Sequence, residues 1–139
     1  MAEVMTVRGP VAPDMLGRTL PHEHLLIDLA RVTRNFDHLL HDVSLAQRGA
    51  WVQFDRIRGM HAWDVQRYVE LIQRFLDRGF LHRLLLSQDV CMLPHLHAYG
   101  GTGYDYLLTG FSERLCAAGL SQREIDTLLI DNPRAALAP

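Results

Sequence analysis

The chain has 139 residues, 48% of them apolar and 22% charged, with a formal net charge of -2. That balance suits a single globular domain with a buried core and points to neither nucleic acid nor an anionic membrane as a partner. No basic-then-apolar leader opens the chain, no apolar run approaches a membrane span, and Cys91 and Cys116 form no CxxC pair, so a cytoplasmic protein without a disulfide framework is expected.

Taken in order, Val4 to Val11 reads as a short extended segment turning at Gly9-Pro10. Leu16 to Leu20 leads into a strand-like run, Pro21-His22-Glu23-His24-Leu25-Leu26-Ile27-Asp28. Phe36, Leu39, Leu40, Val43 and Ala46 recur at helical spacing and predict a helix over Phe36 to Arg48. Beyond Gly49, Ala50 to Asp55 predicts a second short strand with an acidic end. A third element follows, a helix capped by Asp64, with a stripe of Val65, Tyr68, Val69, Leu71, Ile72, Phe75 and Leu76, stopped by Gly79. Arg83 to Asp89 has the unbroken apolar character of a buried parallel strand and again ends in a carboxylate. A loop rich in Gly, His and Tyr spans Cys91 to Tyr104, a helix is expected over Tyr106 to Ala118, and the Ser121-x-x-Glu124 capping box opens a final helix.

Alternating strands and helices predict a parallel α/β fold, in which function gathers at the carboxyl ends of the strands. All three strand-like runs end there in candidate ligands: His22 and His24, Asp55, and Asp89. Residues two apart on a strand share a face, so His22 and His24 can reach one ion together while Glu23 points away. Imidazoles completed by a carboxylate form a zinc-type donor set, and Asp89 could serve as ligand and as proton acceptor for an attacking water. An HxH pair at a strand end also has a plain packing explanation, and Asp55 with Arg56 could be no more than a loop ion pair. His95 and His97 are expected on a mobile pocket rim rather than in a metal site, His38, His41, His61 and His82 at the surface, and Cys91 as a small buried residue.

Val7-Arg8-Gly9-Pro10 followed by Leu16-Gly17-Arg18-Thr19-Leu20-Pro21-His22-Glu23-His24 resembles the amino terminus of the phosphotriesterase family of the amidohydrolase superfamily. Val52-Gln53-Phe54-Asp55-Arg56-Ile57 resembles its seventh barrel strand, and Leu84-Leu85-Leu86-Ser87-Gln88-Asp89 its eighth. Tyr99-Gly100-Gly101-Thr102-Gly103-Tyr104 and Asp131-Asn132-Pro133-Arg134 are also in the family's style. The resemblance implies a (β/α)8 TIM barrel that hydrolyses phosphotriesters, lactones and related small-molecule esters with two zinc-like divalent metals. It makes His22, His24 and Asp89 metal ligands, Asp89 also the catalytic proton shuttle, and Asp55 and Arg56 substrate-binding residues; arginine after that aspartate looks lactonase-like.

A barrel of this kind typically needs about 250 residues. Residues 1–48 resemble the family's amino terminus and 49–139 its carboxyl-terminal third, so a single domain made of a partial barrel is expected: strands one, seven and eight with their helices, the middle missing. In the family the middle carries a bridging carboxylated lysine and the second metal's histidines. All 14 basic residues here are arginine, so the bridge cannot be rebuilt and one metal site remains. Open sheet edges invite self-association, and the alternative to a hydrolase is a catalytically inactive remnant that persists as a folded or associating fragment.

Overall fold

The computed structural model describes residues 3–6, 9–20, 43–47, 49–59 and 62–138. The predicted His22-Glu23-His24 strand lies outside them, as do His38, His41 and His61. Strands β1 (Val4–Thr6) and β2 (Gly9–Val11) pair antiparallel, with Met5 opposite Pro10. Gly9-Pro10 thus sits within the second strand and not in the turn, a correction to the sequence-based expectation. Helix α1 (Val43–Gln47) falls inside the predicted Phe36 to Arg48 helix, and Val43 and Ala46 of its apolar stripe are buried.

A βαβ unit follows. Strand β3 (Val52–Phe54), helix α2 (Ala62–Asp77) and strand β4 (Leu84–Leu86) come in order, and the strands pair in parallel with Phe54 opposite Leu86. Each strand is shorter than predicted. A 3-10 turn at Leu81–Arg83 delays β4, and beyond the strands the ladder continues only as single bonds, Ser87 N–H to the Phe54 carbonyl and Ile57 N–H to the Ser87 carbonyl. Leu84, Leu85 and Leu86 are all buried, as a strand covered on both faces requires. The stripe of α2 packs inward through Val65, Tyr68, Val69, Leu71, Ile72 and Phe75, and Phe75 meets Phe54 edge-on at 5.5 Å, the arrangement the ring quadrupoles favour. Asp64 lies in the first turn of this helix and does not cap it, because the helix already starts at Ala62. Its other end matches expectation: Gly79, at φ +76°, lets Gly79 N–H reach the Leu76 carbonyl and Phe80 N–H the Phe75 carbonyl, a Schellman closure.

The predicted Tyr106 to Ala118 helix is shorter, α3 (Gly110–Ala117). Ahead of it the Asp105 carbonyl takes the N–H groups of Leu108 and Thr109 and the Thr109 hydroxyl, while the buried Gln88 side chain takes the Leu107 N–H, which commits residues 105–109 to turns. The final helix opens on the predicted capping box, with Ser121 and Glu124 bonded reciprocally. It runs as α4 (Gln122–Asp126), a π turn (Thr127–Asp131) and α5 (Asn132–Leu137). The core joins Phe54, Leu84 and Leu86 to Ile72 and Phe75 of α2, Phe111 and Leu115 of α3, and Ile125, Leu128 and Leu129 of the final helix. No helix among the described residues is long and apolar enough to cross a membrane.

One buried side chain joins the last helix to the sheet. Asn132 is 3% exposed and donates from Nδ2 to the carbonyls of Leu81 and Leu84, at 2.8 and 2.7 Å. Asn132→Ala removes the donor from two interior carbonyls and is expected to lower the unfolding free energy by about 2–4 kcal/mol. Denaturant unfolding measures this, and an unchanged midpoint would refute the assignment.

Candidate functional site

The carboxyl ends of β3 and β4 lie side by side because the two strands run parallel in register. Asp55 follows β3 directly, half-buried, and its Oδ1 accepts from the Gln53 amide at 2.9 Å. The Tyr68 hydroxyl of α2 donates to the Asp55 carbonyl, which fixes the backbone where the strand ends. Arg56 then adopts φ +67° and Asp89, beyond β4, φ +50°. These are the two non-glycine residues with positive φ among the described ones, and each costs about 1–2 kcal/mol relative to ordinary backbone, less for aspartate than for arginine. Among the described residues, positive φ outside glycine is thus found at two adjacent strand ends, where function gathers in parallel α/β folds.

Arg58, a residue that the sequence reading passed over, joins the two ends. The Arg56 carbonyl accepts the Arg58 N–H, tightening the turn around buried Ile57, so that the guanidinium crosses to the other strand. Its Nη2 lies 2.6 Å from Asp89 Oδ2 and 2.6 Å from the Asp89 carbonyl, and its Nε lies 3.0 Å from the Gln88 carbonyl. The pair is largely withdrawn from solvent, with side chains 12% and 20% exposed. Cys91, expected to be buried, is half-buried with its Sγ 3.6 Å from the same nitrogen. The only hint in the sequence was a second arginine just past an apolar residue in the strand-end turn.

The loop over these groups differs from expectation. His95 is not on a mobile rim but buried, 3% exposed. Its Nδ1 accepts the Cys91 N–H at 3.2 Å, its carbonyl accepts the Gly103 N–H, and Gly103 in turn accepts the Gln88 amide. Gly103 has φ +71° and lies beneath the His97 ring, so a Cβ there would collide with the imidazole. His97 does lie on the surface, hydrogen-bonded to Asp105 at 2.6 Å, and this bond holds the Asp105 carboxyl below its ordinary pKa. His82 is exposed, as expected.

Burial, reinforced by the positive charge of Arg58, depresses the His95 pKa; Asp89 opposes this and Arg56 adds to it. An acceptor Nδ1 agrees with a neutral ring protonated at Nε2. A depressed folded pKa means that His95 contributes full stability above the ordinary imidazole pKa of about 6.5, and that stability is lost as pH falls below it.

Among the described residues no three His, Cys, Asp or Glu side chains converge as a metal set; of the expected ligands only Asp89 is described, and His22 and His24 lie outside. A groove of about 380 Å³ between α2 and α3, lined by Val65, Val69, Gln73, Arg114 and Ala118, lies away from the strand ends. What the described rim offers is a carboxylate held by a cation, an exposed arginine, and a second carboxylate on the neighbouring strand.

Two measurements test this arrangement. Arg58→Met removes the cation facing Asp89 and the donor to two carbonyls, and is expected to lower stability by about 2–3 kcal/mol; Arg58→Lys recovers only part, since an ammonium lacks the planar fork. Equal denaturation midpoints for Arg58→Met and the unmodified chain would remove the pair from the account. For His95, an NMR titration should find its imidazole titrating below the ordinary value of about 6.5, and a higher value would contradict its burial as the cause.

The Phosphotriesterase family model matches residues 35–137. Phosphotriesterase homology protein of Escherichia coli K12 is 40% identical over 114 residues, covering 77% of this chain and 38% of that protein. N-acetyltaurine hydrolase of Mus musculus is 26% identical over 143 residues, covering 91% of this chain and 40% of that one. The chain thus spans about two-fifths of the length of these relatives. Among solved structures, the Escherichia coli phosphotriesterase homology protein with phosphate in its active site superposes at TM-score 0.64 and 39% identity, covering 72% of this chain and 34% of that chain. A resiniferatoxin-binding protein from Rhodobacter sphaeroides superposes at 0.61 and 34% identity, covering 68% and 30%. With its α/β fold, parallel β3–β4 pair and a match over residues 35–137, the chain belongs to the phosphotriesterase family.

Proposed function

We propose that this chain carries part of the active site of a metal-dependent hydrolase acting on small-molecule esters (lactone, carboxyl ester or phosphotriester). The observation that carries the reading is the meeting of Asp55, Arg56 and Asp89 at the carboxyl ends of two parallel strands, in a chain of this family. In this reading β3 and β4 are neighbouring strands of a partial (β/α)8 barrel, 49–139 is its carboxyl-terminal portion, 1–48 its amino-terminal portion, and the HxH segment supplies the strand beside β4. A relative named N-acetyltaurine hydrolase adds an amide bond to the substrates to be tried.

His22, His24 and Asp89 would hold the metal. Two imidazoles and a carboxylate are a zinc-type donor set, and Asp89 would give the carboxylate. A bound zinc-like ion would supply an activated water and polarise the substrate's carbonyl or phosphoryl oxygen. Asp89 would take up a proton there, and Arg56, exposed at the rim, would face the substrate's polar end with Asp55 beside it. With no lysine in the chain, a lysine-bridged pair of ions cannot form, so a single ion is proposed. A cytoplasmic setting and association through sheet edges complete the reading.

A second reading, a folded remnant without turnover, is favoured by one specific contact: Arg58 already places a cation 2.6 Å from the carboxylate that a metal would use. Metal analysis of the purified chain separates the two, together with lactone, aryl-ester and N-acyl hydrolysis assays. The hydrolase reading expects about one ion per chain and activity abolished in both His22→Ala and Asp89→Asn. Absence of metal together with rates at background would leave the remnant reading standing.

A further inference from the structure

His95 is held on three sides and has one polar atom left over. Its N–H donates to the Met92 carbonyl and its own carbonyl accepts the Gly103 N–H. Gly101 packs so closely on the same peptide that a Cβ there would collide with the His95 carbonyl. The ring nitrogen Nδ1 accepts the Cys91 N–H, so in the neutral ring the proton sits on Nε2 and that atom is a donor. Nε2 has no hydrogen-bond partner among the described residues. It is not sealed from the surface either, since among them Arg134 Nε is the one fully enclosed side-chain polar atom without a partner. A side chain only 3% exposed with an unused donor is uncommon, because buried polar groups are nearly always paired.

The ring lies beside the Arg58–Asp89 pair. Cys91, whose N–H it accepts, carries its Sγ 3.6 Å from Arg58 Nη2, the nitrogen that binds Asp89 Oδ2. Arg58 and Arg56 both act on the imidazole electrostatically, and Asp89 opposes them. A metal ion is the wrong occupant for Nε2, because a ligating nitrogen offers a lone pair and the Cys91 bond commits this one to carrying the proton. A neutral carbonyl would satisfy the donor. An anionic oxygen gains more, as the stronger acceptor and one attracted by two guanidinium groups.

We propose that His95 is a substrate-binding residue whose Nε2–H donates to an anionic oxygen, a carboxylate or phosphate carried by the substrate, in the field of Arg56 and Arg58. The inference names the charge of the substrate and rests on the hydrolase reading for the ligand being a substrate; the oxyanion site itself needs neither a metal nor turnover. Asp55 and Asp89 oppose an anion, so a free oxyanion is expected to bind weakly, with Kd on the order of millimolar.

The test titrates the full chain, treated with chelator, with inorganic phosphate and separately with acetate, at constant ionic strength and a pH of about 8, where imidazole is neutral. The ¹H–¹⁵N signal of His95 Nε2 is expected to move and to saturate by roughly 50 mM of at least one anion, with exposed His82 and His97 unmoved. Which anion saturates it distinguishes a phosphoryl from a carboxylate group. His95→Asn keeps an acceptor for the Cys91 N–H but has no atom at the Nε2 position, and should weaken binding about 10-fold, read from the Cys91 amide signal. His95→Gln, whose amide reaches that position, should recover part of the loss. A His95 signal that does not saturate with either anion in the unmodified chain overturns the proposal, and that result needs no variant to fold. Equal movement of His97, or equal affinity in His95→Asn, overturns it as well. Saturation in a chain without hydrolysis leaves the oxyanion site standing and the hydrolase reading fallen, and hydrolysis with an unresponsive His95 does the reverse.

Discussion

Everything in this structure is arranged around the need to bury both faces of one three-residue strand. Leu84, Leu85 and Leu86 are all withdrawn from water, yet the strand has a single described neighbour in its sheet. The cover has to come from helices. α2 contributes Ile72 and Phe75 to the same cluster, and the π turn and α5 contact the strand itself. Burying three leucines is worth roughly 5–8 kcal/mol of transfer free energy, a large share of what holds a small domain folded. The strand ends are then placed as a by-product, since a strand fixed in the core must deliver whatever follows it to the same place.

Much of this was legible in the sequence, and the reasons are local. The leucine run identified a parallel strand because no alternation interrupts it. Gly79 and the Ser121–Glu124 pair marked helix ends because termination and capping depend on residues within a few positions of one another. The failures are equally specific. Asp64 has the chemistry of a cap, but the helix extends two residues ahead of it. The Tyr106 segment has helical spacing, but Gln88, 19 positions earlier, takes the Leu107 N–H. His95 sits in a loop whose composition reads as exposed, while its burial depends on the close approach of Gly103 and the Gln88 amide. The Arg58–Asp89 contact spans 31 positions, and no periodicity reports a contact of that kind.

That contact also sharpens what the candidate site can be. The sequence reading pictured Asp89 as a carboxylate partnered by a metal. The structure supplies a different partner, a guanidinium that also holds two neighbouring carbonyls. A resident cation of this kind fixes the carboxylate's direction and raises the electrostatic work of bringing a second cation close. Whether the site is a working half-centre or a self-satisfied one therefore reduces to a competition between two positive charges for one aspartate.

The left-handed backbone at Arg56 and Asp89 has a consequence for anyone redesigning the chain. Glycine would relax both positions at once, and so a library screened for thermal resistance alone is drawn towards it. The same change would erase the arginine and the carboxylate that give the rim its chemistry. Tougher descendants of this protein would then be blank ones, and the two least comfortable of the described residues are those to leave untouched.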